Sequence, residues 1–363
     1  MEPFRIAVSD EVLHDLADRL ARRRPQSPPV TGGGESAATV AEIDRLVAYW
    51  ADGFDWRAQE RRLNDLPQFR ATVDGVGLHF VHVRGTGPDP TPLLLTNGWP
   101  SSFIEYATVI PLLAAAGFSV VAPALVGYGF SDRGLDRRLT RVEIAALFDK
   151  LMTEQLGYAR YVAHGDDIGG GIVNRLGIHH PGTVAAVQSA NWIIPPLPAD
   201  ADEAEHAYVA ADAEWHRSLG GYSHVQATRP HLLAEALNDS PLGLAAWILE
   251  KWLTWSDPAT RGRLSDDDLL ANVTLYWITQ TIGSSVRLYA LASPPTPTDV
   301  ITVPASVLVP HEPDLPMPPD ALLHRGYADL RRISHVPAGG HFLAAEAPET
   351  FVAEIEAAFA DFR

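Results

Sequence analysis

The spacing of apolar positions changes character three times along the chain. In SDEVLHDLADRL, residues 9–20, Val12, Leu13, Leu16 and Leu20 recur at helical spacing, and Ser9 stands where a hydroxyl caps the first turn, so the pattern predicts a short amphipathic helix. Arg22 to Arg24 read as its solvated end. PQSPPVTGGGES, residues 25–36, is loop by composition, and a second helical face follows with Val40, Ile43, Leu46, Val47 and Trp50. From residue 71 the period falls to two. ATVDGVGLHFVHVRG alternates about Asp74-Gly75 and predicts a β-hairpin.

PLLLTNG, FSVVAPAL, YARYVAHG, TVAAVQSAN and PASVLVP are then short apolar runs bounded by Gly, Pro or Asn, several of them separated by helical patterns. That alternation predicts βαβ units and an α/β fold with a mainly parallel central sheet flanked by helices. Between about residues 196 and 300 the strand runs vanish and Trp- and Tyr-rich helical patterns take over. The chain therefore divides into an N-terminal segment (1–70), a first part of the core (71–195), an all-helical lid (196–300) and a second part of the core (301–363). No repeat and no low-complexity segment interrupts this plan.

Composition narrows the chemistry. With 363 residues the chain can bury a large core, and a formal charge of −17 disfavours nucleic acid and anionic membranes, which attract basic surfaces. There is no cysteine, which excludes disulfides, thiolate metal sites and a Cys nucleophile. MEPFRIAVSDEVLHDLADRL breaks each apolar run with a charge, and GLAAWILEKWLTW is cut by Glu250 and Lys251, so neither a signal peptide nor a membrane anchor is expected. The expectation is a soluble cytoplasmic protein acting on a small molecule, with a homodimer left open.

VAHGDDIGGGIVNRLG, residues 162–177, places two aspartates between an apolar run and a helical pattern. An apolar strand, small-x-acid-x-small and a helix describe a nucleophile elbow, a strained turn that lifts one side chain above the carboxyl edge of the sheet. With Asp167 at its apex the flanking small positions hold Gly165 and Gly169; with Asp166 they would hold His164 and Ile168, which do not fit. Asp167 is the aspartate such a turn serves; the alternative reading is that the pair caps the following helix, where acids are common. Upstream, LLLTNGWPSSF ends a strand in Gly98-Trp99-Pro100, where an α/β-hydrolase supplies an oxyanion-hole N–H; downstream, His341 lies on a Gly-Gly loop before the last helix.

These motifs, together with DGFDWRAQERRLNDLPQF, GYSHVQATRP, ALNDSPLGLAAWILEKWLTWSD, NVTLYWITQTIGSSVRLY and PAGGHFLAAEAPE, resemble the microsomal and juvenile-hormone type of epoxide hydrolase, and its soluble bacterial members in particular. The resemblance spans the chain and implies the α/β-hydrolase fold with a helical lid and an N-terminal helical extension that braces it. It further implies Asp167 as nucleophile, His341 as general base, Glu312 of Pro310-x-Glu as the acid that orients it, and Tyr222 and Tyr289 as lid donors to the epoxide oxygen. The backbone N–H groups of Trp99 and Ile168 would form the oxyanion hole. Trp99, Ile168 and the lid's Trp247, with Trp252, Trp255 and Trp277 beyond it, would wall an apolar pocket. The implied reaction converts an apolar epoxide to a vicinal diol with no metal or organic cofactor.

That chemistry suits those residue types. A carboxylate is anionic at neutral pH and attacks saturated carbon without a base. The departing alkoxide needs a donor, and a tyrosine of ordinary pKa about 10 donates without first being ionised. Hydrolysis of the resulting ester needs His341 to deprotonate water, with Glu312 or, two residues on, Asp314 behind it.

Asn97 stands where the family carries His, and Ile168 where it carries Trp. A haloalkane dehalogenase shares the fold and an Asp nucleophile but holds halide with a Trp N–H beside it, which Ile168 lacks. A pathway-specific enzyme that opens or cyclises a large polycyclic natural-product epoxide, and a non-catalytic binding module, are the other readings. Activity confined to polycyclic epoxides would favour the former; ligand binding without turnover would favour the latter.

Overall fold

The computed structural model describes residues 1–25, 36–134, 136–292 and 294–363; most of the predicted 25–36 loop lies outside them. Among the described residues the N-terminal segment holds three helices, α1 (Asp10–Ala21), α2 (Ala37–Asp52) and α3 (Trp56–Leu63). The first two match the periodic stretches, and Ser9 caps α1 by accepting from the Val12 amide.

Among the described residues nine strands form one sheet: β1 (Glu2–Phe4), β2 (Gln68–Val73), β3 (Val76–Val83), β4 (Thr91–Thr96), β5 (Phe118–Pro123), β6 (Tyr161–Gly165), β7 (Val184–Ser189), β8 (Ala305–Val309) and β9 (Leu330–His335). Their spatial order is β1-β2-β3-β5-β4-β6-β7-β8-β9, antiparallel from β1 to β5 and parallel from β5 to β9. The β2–β3 hairpin turns on Asp74 and Gly75 with φ of 49° and 77°, the paired positive values that suit the twist of a two-residue hairpin. Leu94, Val121 and Ala163 pack into one buried layer while their neighbours Leu93, Leu95, Val120 and Val162 pack into the other. Alternate residues of each central strand thus face opposite sides, so both faces are buried and the strands read as unbroken apolar runs.

The sequence pattern misses three elements for physical reasons. β1 has three residues, too few to show a period. β9 is an edge strand carrying the exposed Arg331 and Arg332, the charge that keeps an edge from pairing further. In α3 the polar residues Gln59 and Glu60 are buried: Glu60 accepts from the Val8 amide at 2.7 Å and pairs with Arg57 at 2.7 Å, so its helical face is held by hydrogen bonds and ion pairs. The N-terminal extension is therefore not purely helical, since β1 also joins the sheet.

α4 (Val109–Ala115), α5 (Arg141–Lys150) and α6 (Asp167–His179) complete the first part of the core. Six helices follow: α7 (Glu203–Ser218), α8 (Gly221–Thr228), α9 (Pro230–Asp239), α10 (Pro241–Trp255), α11 (Asp266–Thr279) and α12 (Ile282–Ala290); among the described residues of this interval there is no strand. α13 (Asp320–Leu323), α14 (Leu343–Glu346) and α15 (Pro348–Ala358) close the chain. α2 and α3 grip the helical layer through the Trp50 indole, which donates to Thr274 Oγ1 at 2.9 Å, and through Arg45–Asp266 and Arg62–Asp268 pairs at 2.7 and 2.8 Å. The buried Trp50 carries most of this bracing, because exposed pairs contribute only about 0–1 kcal/mol each. Among the described residues no helix is long and apolar enough to cross a membrane.

Candidate active site

The carboxyl ends of β4, β6, β7 and β8 come together, the usual place for a ligand in an open parallel sheet. Thr96 and Gly165 pair in register at the ends of β4 and β6, so Gly98-Trp99 and Asp166-Asp167 emerge side by side. Asp167 has φ of 45°, a left-handed conformation that a non-glycine residue adopts only when its surroundings enforce it. The surroundings are backbone. A Cβ at Gly165 would lie 2.5 Å from the Gly169 carbonyl oxygen, one at Gly169 would overlap the Thr96 carbonyl, and one at Gly98 would overlap the Asp167 carboxylate. The glycine spacing that singled out Asp167 is thus a steric requirement of this turn.

Two groups fix Asp167. The Trp99 N–H donates to its Oδ1 at 2.9 Å, and Asn191 Nδ2, at the end of β7, donates to its carbonyl at 2.7 Å. Ile168 lies in the first turn of α6, where amides have no partner within the helix. Asn97 is buried and donates to the Gly98 carbonyl at 3.1 Å, bracing the same turn.

His341 lines the same cavity as Asp167 from the loop after β9, with Nδ1 2.7 Å from Glu312 Oε2 beyond β8. Glu312 is the acid on the imidazole; Asp314 turns the chain with φ of 62°. Burial pulls the imidazole down, but the charge and hydrogen bond of Glu312, followed by the charges of Asp167 and Asp166, hold it up at about 10. The histidine loop rests on two buried acids that sequence reasoning missed. Asp257 accepts from the Gly339 amide at 2.9 Å, and Glu346 accepts from the amides of Asp257, Gly340 and Phe342 and from the Thr260 hydroxyl. The one signal was Glu346, set inside the apolar run FLAAEA.

Asp166, set aside as a nucleophile, lines the same cavity and accepts from the Tyr106 hydroxyl at 2.7 Å. Burial pushes it up to about 7, against the Tyr106 hydrogen bond and the His341 charge.

The cavity, about 210 Å³, is walled by Asp167, His341, Glu312 and Tyr222 together with Trp192, Tyr208, Trp215 and Trp255. Tyr222 stacks on Trp99 at 5.7 Å, and Tyr289 stands edge-on to both rings at 5.9 and 6.0 Å. Burial raises both phenols, so they stay protonated, and the Tyr289 hydroxyl is buried without a hydrogen-bond partner among the described residues.

The expected aromatic wall needs correction. Trp247 does not line the cavity; its indole donates to Gln226 Oε1 at 3.0 Å and ties α10 to α8. Trp252 stacks on Phe342 at 3.7 Å, and Trp277 faces Arg19 on another surface, which leaves Trp255 as the one of the four that reaches the cavity. Trp99 and Ile168 are buried and do not line it either. Trp192, Tyr208 and Trp215 take their place, from the end of β7 and from α7, positions that no local pattern marks. Among the described residues, no group of three or more His, Asp or Glu side chains is arranged to hold a metal ion.

Comparison with known proteins bears on the family and the fold. Residues 1–106 match the family model described as epoxide hydrolase N terminus, and residues 91–232 match the alpha/beta hydrolase fold. The chain is 32% identical to juvenile hormone epoxide hydrolase of Bombyx mori, covering 100% of this chain and 87% of that one. It is 30% identical to epoxide hydrolase 1 of Oryctolagus cuniculus, covering 98% and 88%. The crystal structure of the silkworm enzyme superposes with a TM-score of 0.87 at 31% identity, over 100% of this chain and 94% of that one.

Proposed function

The chain belongs to the epoxide hydrolase family of α/β-hydrolases and is an enzyme of that activity; we propose that it opens an apolar epoxide in two steps through an ester on Asp167. The carrying observation is a carboxylate on left-handed backbone, between a backbone donor and a His–Glu pair, facing phenols that burial keeps protonated.

In the first step an Asp167 oxygen attacks an epoxide carbon, the C–O bond breaks, and the oxygen that leaves takes a proton from Tyr222 or Tyr289. The imidazolium restores that proton. Esterification removes the Asp167 charge, one of the influences that hold His341 up, so the imidazolium gives up its proton more readily and stands neutral, free to accept one, when water must be activated. In the second step His341 takes a proton from water, whose hydroxide adds to the ester carbonyl. The oxyanion is met by the N–H groups of Trp99 and Ile168; losing one such donor typically slows a reaction by about 10²-fold to 10³-fold. Collapse expels the diol oxygen, which takes the proton of the nascent carboxylic acid. The carboxylate, imidazolium and phenols are as they began, and one water has been added.

The aromatic walls from Trp192, Trp215, Trp255 and Tyr208 favour an apolar substrate. The test is trapping: His341→Gln should alkylate but not hydrolyse. Mixed with styrene oxide and quenched, it should gain the whole substrate mass on the peptide that holds Asp167. An unlabelled protein, with wild type also inert toward epoxides, would overturn the assignment.

A further inference from the structure

A second and larger cavity, about 380 Å³, lies behind the first. Asn191, Trp192, Tyr208, Asp212 and His216 line both, so the two share one wall. Tyr208, Asp212 and His216 recur every four residues along one face of α7, and Asn191 and Trp192 follow β7; the Trp192 indole donates to the Tyr208 hydroxyl at 3.0 Å. The partition consists of side chains of a lid helix and one loop, with no strand of the sheet between the two spaces.

The far side of this cavity is cationic, and its charges are unevenly matched. Arg175 is paired with Asp299 at 2.6 Å, and His216 faces Asp212 at 3.8 Å. Arg141 makes no ion pair or hydrogen bond among the described residues, and its Nε is buried without a partner. It stands at the first position of α5, the end where the helix dipole disfavours a cation. Its guanidinium packs over Gly171, where a Cβ would come within 3.1–3.3 Å of the side chain. A half-buried guanidinium at the unfavourable end of a helix, held over a glycine and left unmatched, lacks its acceptor.

We infer that Arg141 binds a carboxylate on the distal end of the substrate, so that the epoxide carbon sits at Asp167 while the rest of the molecule passes the Trp192–Tyr208 partition into the second cavity. This rests on the reading of Asp167 as the alkylated residue. Gly171 is four residues beyond Asp167, about 6 Å along the axis of α6, which is the span of a para-substituted benzene ring. A planar guanidinium receives a carboxylate through two parallel hydrogen bonds.

The probe is 4-(oxiran-2-yl)benzoate, compared with styrene oxide, which is the same ring without the acid. Wild type should favour the carboxylate in kcat/KM. Arg141→Met should lower that value by about 10-fold to 100-fold, mainly through KM, while leaving styrene oxide within about twofold, and Arg141→Lys should restore part of the loss. Unchanged styrene oxide turnover also shows that the variant folds. If the ratio between the two substrates were the same in wild type and Arg141→Met, the inference would fall while the epoxide reading stood. If wild type opened neither and His341→Gln took up neither, both would fall together.

Discussion

The two walls of the active site are built on different principles. On the core side Asp167, Trp99 and the glycines around them are positioned by backbone packed against backbone, with separations that no side chain can share. On the lid side Tyr222, Tyr289 and Trp255 are positioned by ring contacts, Tyr208 by a hydrogen bond from the Trp192 indole, and the lid is braced from outside by the N-terminal segment. A backbone-built wall tolerates almost no substitution but holds one atom very accurately. A ring-built wall can change its occupants while keeping its shape, so the core side fits an invariant chemical step and the lid side a variable substrate.

The contrast breaks most sharply at Gly169. A valine there would drive its side chain into the Thr96 and Asn97 carbonyls, which belong to a central strand end and cannot yield. The expected cost is about 3 kcal/mol or more in stability, with loss of the adduct that the trapping variant should form. Thermal melting and intact mass would check both. A stable, active Gly169→Val protein would mean that the elbow is as adaptable as the lid.

The lid side should respond in rate and not in stability. Tyr222→Phe and Tyr289→Phe each remove a hydroxyl and keep the ring contacts, so melting should hardly move while alkylation slows by about 10²-fold, the scale for loss of one preorganised donor. Single-turnover formation of the Asp167 ester separates this from hydrolysis. Tyr289 does not line the cavity that Tyr222 lines, and its hydroxyl lies buried without a partner. An unaffected Tyr289→Phe would make it a packing residue and leave Tyr222 as the donor.

The same division decided what the sequence could reveal. The elbow, the Gly98-Trp99-Pro100 turn and the Gly-Gly histidine loop were legible because close backbone approach demands glycine at fixed spacing. The pocket wall was not. Trp247 and Trp215 look alike as lid aromatics, yet one faces Gln226 and the other the cavity, a difference set by how α7 and α10 pack on the core. Glu346 and Asp257 escaped because their partners are loop amides, and an amide leaves no mark on the sequence. β9 and α3 escaped because an edge needs charge and a clamp needs buried polar groups, which reverses the pattern that reveals ordinary strands and helices.

The smallest expected effect concerns charge, and it again lies on the core side. His341 is held at about 10 against an ordinary 6.5, and Asp166 at about 7 against an ordinary 3.8. Both folded values lie above the unfolded ones, so in each case the native state binds a proton more tightly. The stability this confers is complete below the unfolded value and is lost as pH rises through the folded one. Asp166 therefore gives a loss between about pH 4 and 7, and His341 a further loss between about pH 6.5 and 10. Asp166→Asn should flatten the acid part of the melting curve against pH, and His341→Gln the alkaline part, each by a few degrees. The two groups attract each other when both are charged, so the double variant should fall short of the sum of the single effects. Strict additivity would mean that the carboxyl beside the nucleophile takes no part in setting the charge of the histidine, which would then answer to Glu312 and Asp167 without it.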